Sequence, residues 1–275
     1  MENALQKVVQ KIIDTADPER IYLLTATTSA RKVENVFIAE PLEWQETEHY
    51  DVLVLLKGGA DNWKHPYLQE RLEHHCQQII PTTVMLLSFS KFNQFIECGN
   101  AFIQRIVTSD SILYDAKTKE LAAPASGNVE AWEDKNRKRY LQWLENGSSF
   151  LAAYDLFMVR KDYRIAAFNL HQAAEQFFLC IFQVAAGFTL STHNLYALHR
   201  YTRGLAREIM TLFPQYTNKD KERFRLLVNA YSQSRYEEDF KIQVDDLLYL
   251  QEEVNKLYLI ARQFSKRKDE KNLIV

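Results

Sequence analysis

A histidine and an aspartate stand two apart in "EHYDVLVLL", residues 48–56, and on a strand that spacing puts His49 and Asp51 on one face. Two carboxylates so placed would hold a divalent metal against a phosphate, whereas His with Asp makes a softer, less charged pair. The pair reads either as a metal or ligand site or as a strand end facing solvent. A second set lies in "RIAAFNLHQAAEQ", residues 164–176, where Arg164 and His171 are two helical turns apart and His171 and Glu175 one turn. There an imidazole can move a proton and a guanidinium can steady a phosphate, although His–Glu pairs at this spacing also make ordinary helix-surface or interhelical hydrogen bonds. His193, beside Asn194, can tie down the loop at a helix start. Arg235 with Tyr236 can anchor a ligand phosphate or lock a helical bundle, since a guanidinium suits both.

The elements that must position these residues follow two different patterns. Up to about residue 115, helical spacing ("ALQKVVQKII", "PYLQERLEHHCQQII") alternates with short apolar runs ("RIYLLTA", "DVLVLL", "TTVMLLSFS"), which predicts an α/β unit. A polar, turn-rich stretch, "DAKTKELAAPASGN", follows with Pro124 and Gly127 as breakers. Beyond it the spacing is helical throughout. One long helix carries Trp132, Tyr140, Trp143, Leu144, Leu151, Tyr154 and Met158, and a second runs from Tyr163 to Ala186, stopped by Gly187. A third, capped by Ser191 or Thr192, carries Leu195, Leu198, Leu205 and Ile209. Pro214 then breaks the chain, and Asn218 caps a fourth helix bearing Phe224, Leu227 and Tyr231. The fifth carries the stripe Val244, Leu247, Leu248, Val254, Leu257, Ala261 and Phe264. The expected organisation is an α/β unit at 1–116, a linker at 117–128 and an all-α helical bundle at 129–275.

With 275 residues, 47% hydrophobic and 25% charged, the chain has the composition of a globular protein with room for two cores. A net charge of -2 lacks the basic footprint of a duplex-DNA binder. Cys76, Cys98 and Cys180 are odd in number and widely spaced, which predicts reduced thiols. Charges among the apolar residues at the start, and the lack of a long apolar run, predict a cytoplasmic protein without a signal peptide or membrane span.

Three separated stretches, "DYRIAAFNLHQAAEQFFLCIFQVAAG", "STHNLYAL" and "AYSQSRYEEDF", resemble in content and order the HEPN domain. That resemblance covers most of residues 130–265 and implies a helical bundle that dimerises and binds nucleotides or RNA. Many such domains are metal-independent RNases, with an Arg and a His four to six residues apart near the start of the last helix. Arg235 matches that Arg, but the following "YEEDFKIQ" holds no His, and Glu237, Glu238 and Asp239 stand there instead. Acids at that place would repel an RNA phosphate. The Arg164–His171 pair has a comparable spacing on a different helix.

The first half resembles, in layout, a minimal nucleotidyltransferase, in which a Gly-Ser strand, an Asp-x-Asp strand and a third acid hold two Mg²⁺ ions. In "IYLLTATTSARK" either Ser29, or Thr25 with Ala26, takes the Gly-Ser place; His49 replaces the first acid, Asp51 keeps the second, and "TTVMLLSFS" offers no third. "GNAFIQRIVTSDSILYDA" is similar to the closing helix and strand of that fold. The implied cofactor is Mg²⁺ with a nucleotide, held by His49 and Asp51, yet one carboxylate of three does not hold two ions. Together the resemblances imply a HEPN protein with an inactive nucleotidyltransferase-like domain, a homodimer through its helices. It would bind a nucleotide or RNA in a toxin–antitoxin or stress-defence role, with no membrane or DNA duplex as partner. Two alternatives stand beside this: an active nucleotidyltransferase drawing on Glu46, Glu48 and Asp51, and a metal-independent RNase using Arg235 or the Arg164–His171 pair.

Overall fold

The computed structural model describes residues 2–29, 32–35, 48–57, 65–123, 129–190, 192–205, 207–237 and 240–272. The chain divides into two compact units, Met1–Trp132 and Glu133–Val275.

The first unit is a small mixed sheet with helices. Strand β1 (Pro18–Ser29) pairs antiparallel with β2 (Lys32–Asn35) and β5 (Ile112–Asp115), and along its other edge with β3 (His49–Leu56); β3 then pairs parallel with β4 (Thr82–Ser88). The β3–β4 crossover holds helix α2 (His65–Gln77), as a parallel pair requires. Because β3 is buried along its length, it reads as a continuous apolar run rather than an alternation. Val52 and Val54 face Val8 and Ile12 of α1 (Glu2–Ala16) and Leu72 and Cys76 of α2. On the opposite face Tyr22 of β1 stacks on Phe92 of α3 (Phe89–Glu97) at 5.7 Å. The run "TTVMLLSFS" therefore does not remain a strand to its end. Ser88 closes β4 and caps α3, its hydroxyl accepting from Lys91 N at 3.2 Å, so the aromatic residues beyond it turn onto the sheet face. Asn100 caps α4 (Ala101–Thr108) in the same way.

Part of the stretch expected as a linker is bound to this unit. Buried Glu19 accepts from the backbone N–H groups of Thr118 (3.1 Å) and Lys119 (3.0 Å) and from the Thr118 hydroxyl. Ala122 N donates to Asn93 Oδ1 at 3.1 Å. Pro124 and Gly127 lie outside the described residues.

The second unit is built around α6 (Tyr163–Ala186), whose residues are apolar and buried on nearly every side, as a central helix must be. It starts on the Asp162 cap and stops at Gly187, whose φ of 76° suits glycine. Around it stand α5 (Val129–Val159), α7 (Leu195–Arg203), α8 (Arg207–Met210), α9 (Asn218–Tyr236) and α10 (Val244–Asn272). Gly147 lets α5 approach closely: a Cβ there would lie 2.4 Å from Cε1 of the fully buried Phe177.

Three expectations are corrected at helix ends and on one face. The expected third helix is split into α7 and α8 after Gly204, and its cap is Asn194, whose side chain accepts from Tyr196 and Ala197. Thr192 instead accepts from Asn194 N, and Ser191 lies outside the described residues. Thr217, not Asn218, caps α9, in a reciprocal capping box with Asp220. In α10, Leu247, Val254, Leu257 and Ala261 enter the core, but Leu248 is 46% exposed, one residue outside the buried stripe. No helix among the described residues is long and apolar enough to cross a membrane.

Candidate functional site

On α6 the residues Arg164, Phe168, His171 and Glu175 follow one another at intervals of three or four and so share a face. Helix α9 packs against α6 and brings Tyr231 over the ring of His171 at 5.2 Å and near that of Phe168 at 6.4 Å. One turn further, the Arg235 guanidinium lies 4.1 Å over Tyr231, with Phe168 at 5.6 Å and Tyr236 at 5.1 Å. Its Nε donates to the Tyr231 carbonyl at 2.7 Å. Arg235 has no carboxylate partner among the described residues, and Tyr236 is 78% exposed. A cation sandwiched by aromatic rings at a surface can stack a planar base and hold a phosphate.

Beneath this cluster the chemistry is internal. His171 is buried, and its Nδ1 faces the Leu227 carbonyl at 2.9 Å; because a carbonyl only accepts, Nδ1 carries the proton. Nε2 is left 3.7 Å from Glu175 Oε2, beyond a direct hydrogen bond. Glu175 is 3% exposed, and its other oxygen accepts from His193 Nδ1 at 2.9 Å. Burial alone would raise the Glu175 carboxyl, but the two imidazoles, His171 and His193, outweigh it and hold the group below the ordinary carboxylate range. The bond to Glu175 in turn raises His193, against the opposing effect of burial. His193 thus ties the segment before α7 to α6. The His171–Glu175 pair lies in the core, not on a helix surface. Arg164 is exposed while His171 is buried beneath Tyr231, so the two are not presented together to a substrate. Glu237 is the exposed C-cap of α9; Glu238 and Asp239 lie outside the described residues.

In the first unit, His49 Nε2 is 2.7 Å from the Thr83 hydroxyl and 3.4 Å from Asp51 Oδ1. Both side chains are largely buried, so this is not a solvated strand end. The β1–β3 register sets Thr25 opposite Asp51 and Thr27 opposite His49, and the β3–β4 register sets Thr83 beside Asp51. Three threonines thus surround the pair. Ala26 turns to the other face, into the core with α1 and α2. The side chain of Ser29 lies outside the described residues, as does Glu46; Glu48 is exposed. Glu73 of α2 accepts Val84 N at 2.9 Å on the β4 edge, and burial raises its carboxyl despite that bond. Among the described residues no three His, Cys, Asp or Glu side chains form a group that could hold a metal ion. Burial also raises the thiols of Cys76 to about 11 and Cys180 to about 12, which leaves both as inert core residues.

The contacts that the spacing of residues did not reveal are Phe168 under Arg235, Leu227 on His171, and Thr83 on His49. Of these only Thr83 carried a sequence signal, a polar pair opening an apolar strand next to the one bearing Asp51.

Among the described residues the second unit is a bundle of six helices, with a buried His–Glu pair in its central helix and an exposed Arg–Tyr end to a neighbouring one. Residues 140–271 match the family model of the HEPN domain, and a HEPN domain is present there. The match takes in α6 to α9 whole and leaves residues 1–139 outside. No curated protein matches the chain.

Proposed function

We propose that the protein is a nucleotide- or RNA-binding HEPN module without ribonuclease activity, joined to a nucleotidyltransferase-like unit that has lost catalysis. The observation that carries the reading is the exposed Arg235, stacked on Tyr231 at 4.1 Å while the imidazole on the other side of that contact, His171, is buried against the same ring with Nδ1 committed to Leu227. Arg235 and Tyr236 hold the ligand phosphate and base, and among the described contacts of Arg235, which are with Tyr231, Phe168 and Tyr236, there is no imidazole to move a proton. In the first unit a single strand carboxylate, Asp51, with a His49 already bonded to Thr83, is too little for a two-metal site, which supports binding without transfer. Leu156 and Val159 on α5, both exposed, support a second copy as partner of the helical unit.

The test is binding and turnover measured side by side on the full chain. Labelled nucleoside triphosphates and a short RNA, with Mg²⁺ or EDTA, are expected to bind without cleavage or transfer, and Arg235→Ala should weaken binding by about tenfold or more. Cleavage in EDTA that is lost in His171→Ala, or transfer that is lost in Asp51→Ala, would overturn the reading. Light scattering of the same sample reads the dimer.

A further inference from the structure

Two buried acceptors stand together on α6. His171 is 1% exposed and Glu175 3%. The Nδ1 proton of His171 goes to the Leu227 carbonyl at 2.9 Å, so in a neutral ring Nε2 is an acceptor. It lies 3.7 Å from Glu175 Oε2, and among the described residues neither atom has a hydrogen-bond partner. Buried polar atoms are nearly always paired, and two acceptors pair only across a hydrogen. Charge makes the same demand. Among the described residues the ion-pair contacts of Glu175 are both imidazoles: His171, and the largely exposed His193, which holds Oε1 at 2.9 Å. A buried carboxylate is tolerated only beside a counter-charge. The groups on the surrounding elements are engaged elsewhere. On α9, Tyr231 lies against the His171 ring at 5.2 Å and Arg235 donates to the Tyr231 carbonyl; Arg164, earlier on α6, is exposed. On α7, His199 sits among the rings of Phe178, Phe213 and Phe224. On α5, the Tyr154 hydroxyl donates to the Leu247 carbonyl at 3.4 Å; on α10, Glu253 accepts from Phe213 N at 2.7 Å and Lys256 Nζ at 2.6 Å.

We infer that His171 takes a second proton, on Nε2, and that its imidazolium, Glu175 and His193 form a pH-sensitive clamp joining α6, α9 and the segment before α7. The ring then donates through Nδ1 to Leu227 and through Nε2 to Glu175, so both oxygens of the buried carboxylate are held. Charge-assisted N–H···O bonds run at about 2.7–2.9 Å, so the pair closes by roughly 1 Å when the proton is present. A water molecule would supply a hydrogen to the two acceptors but no charge. Against the upward push of burial, the bonds from His171 and His193 hold the Glu175 carboxyl below its ordinary range, which keeps the proton on nitrogen. Rising pH removes that proton, sets two acceptors against each other again and loosens α9 on α6 around Leu227 and Tyr231. Falling pH ends the clamp from the other side, when Glu175 itself is protonated. Because Tyr231 carries Arg235 at 4.1 Å, the clamp sets the seat of that surface group, whatever Arg235 binds.

The experiment is nuclear magnetic resonance of the full chain with isotope-labelled histidine, reading the protonation of each ring nitrogen over about pH 5 to 9. In the wild type both nitrogens of His171 are expected to be protonated at the acid end, although burial by itself favours the neutral ring, and Nε2 is expected to lose its proton as pH rises. A bare Nε2 at every pH overturns the inference, the donor then being a water; an imidazolium unchanged to the alkaline end overturns the pH-sensitive clamp. Glu175→Gln keeps the shape and removes the charge, and there His171 is expected to lose the second proton; its persistence overturns the pairing. His193→Gln, at an exposed side chain, should leave the His171 proton in place, and its loss there would assign the effect to the outer pair instead. Hydrogen exchange of the α9 amides from Leu227 to Tyr231, corrected for its intrinsic rise with pH, gives a second readout. Protection should fall severalfold as the proton leaves in the wild type and show no such fall in Glu175→Gln; the same pH dependence in both counts against the clamp. The wild-type spectra need no altered core, so a Glu175→Gln chain that fails to fold leaves the test intact.

Discussion

Replacing Gly147 with alanine sets two opposing effects against each other at one carbon atom. Alanine in a helix interior is favoured over glycine by about 1 kcal/mol, so without its surroundings the change would stabilise α5. Its Cβ, however, would fall 2.4, 2.7 and 2.9 Å from three atoms of the Phe177 ring. Carbon atoms rest at about 3.5–4.0 Å, so the ring or the helix must retreat by roughly 1 Å. Phe177 is fully buried and has the Tyr258 ring 5.2 Å away, so a retreat disturbs packed neighbours. Overpacking of this kind costs about 1–3 kcal/mol, which at its middle value exceeds the gain in propensity. The expected net loss is about 1 kcal/mol, the middle of a range of about 0–2, with a fall of roughly 4 °C in Tm for a unit of this size. Urea unfolding followed by circular dichroism checks it, the helical unit dominating the signal. Phe177→Leu in the same chain should relieve the clash, giving a favourable coupling of about 0.5–3 kcal/mol in the double-mutant cycle. A gain of about 1 kcal/mol on Gly147→Ala, the value of propensity alone, would refute the close approach of α5 to α6.

Two further outcomes follow from bonds within the helical unit. His193→Ala removes the bond to Glu175, and its effect on stability depends on pH in a definite sense. The raised His193 contributes fully below the ordinary imidazole value of 6.5 and loses this as pH rises through its folded value. The lowered Glu175 contributes above the ordinary carboxylate value of 4.5 and loses this as pH falls through its folded value. The difference between wild type and variant should therefore be greatest between these values and shrink on either side. With the His193 side chain 73% exposed, it should stay near about 0.5–1 kcal/mol. Unfolding curves across pH 4–9 check this, and a difference constant over that range would count against the contact. Thr217→Ala opens the capping box of α9 and should cost about 1 kcal/mol, with most of it recovered in Thr217→Ser. Equal stability of the alanine and serine forms would mean that the box adds nothing.

Helix α6 was legible because its signals agree: an Asp cap, apolar residues at helical spacing over its whole length and a terminal glycine. The caps at Ser88 and Thr217 were not, because the residues around them also fit the wrong element. Phe89 continues an apolar strand run as readily as it opens a helix, and Asn218 is as good a cap by type as Thr217. Arg235, Tyr231 and Tyr236 could be placed together from spacing, but Phe168 joins them only through the packing of α6 on α9. His171 was legible as a chemical group and not as a committed one, since its partner is the carbonyl of Leu227, and a backbone oxygen leaves no mark on the sequence.

The grip of Glu19 on Thr118 and Lys119 joins positions about a hundred residues apart, and β5 meets β1 alongside it through Arg20 and Asp115 at 3.2 Å. A chain emerging from the ribosome makes β1 early, and its last partner only when nearly all of the unit has been synthesised. Until then Glu19 has no donors from 118 and 119, and the β1 edge that β5 will cover stays open. Contacts of such high order slow folding, because a long loop must close before they form. The first unit therefore depends, for its completion, on the stretch that leads out of it.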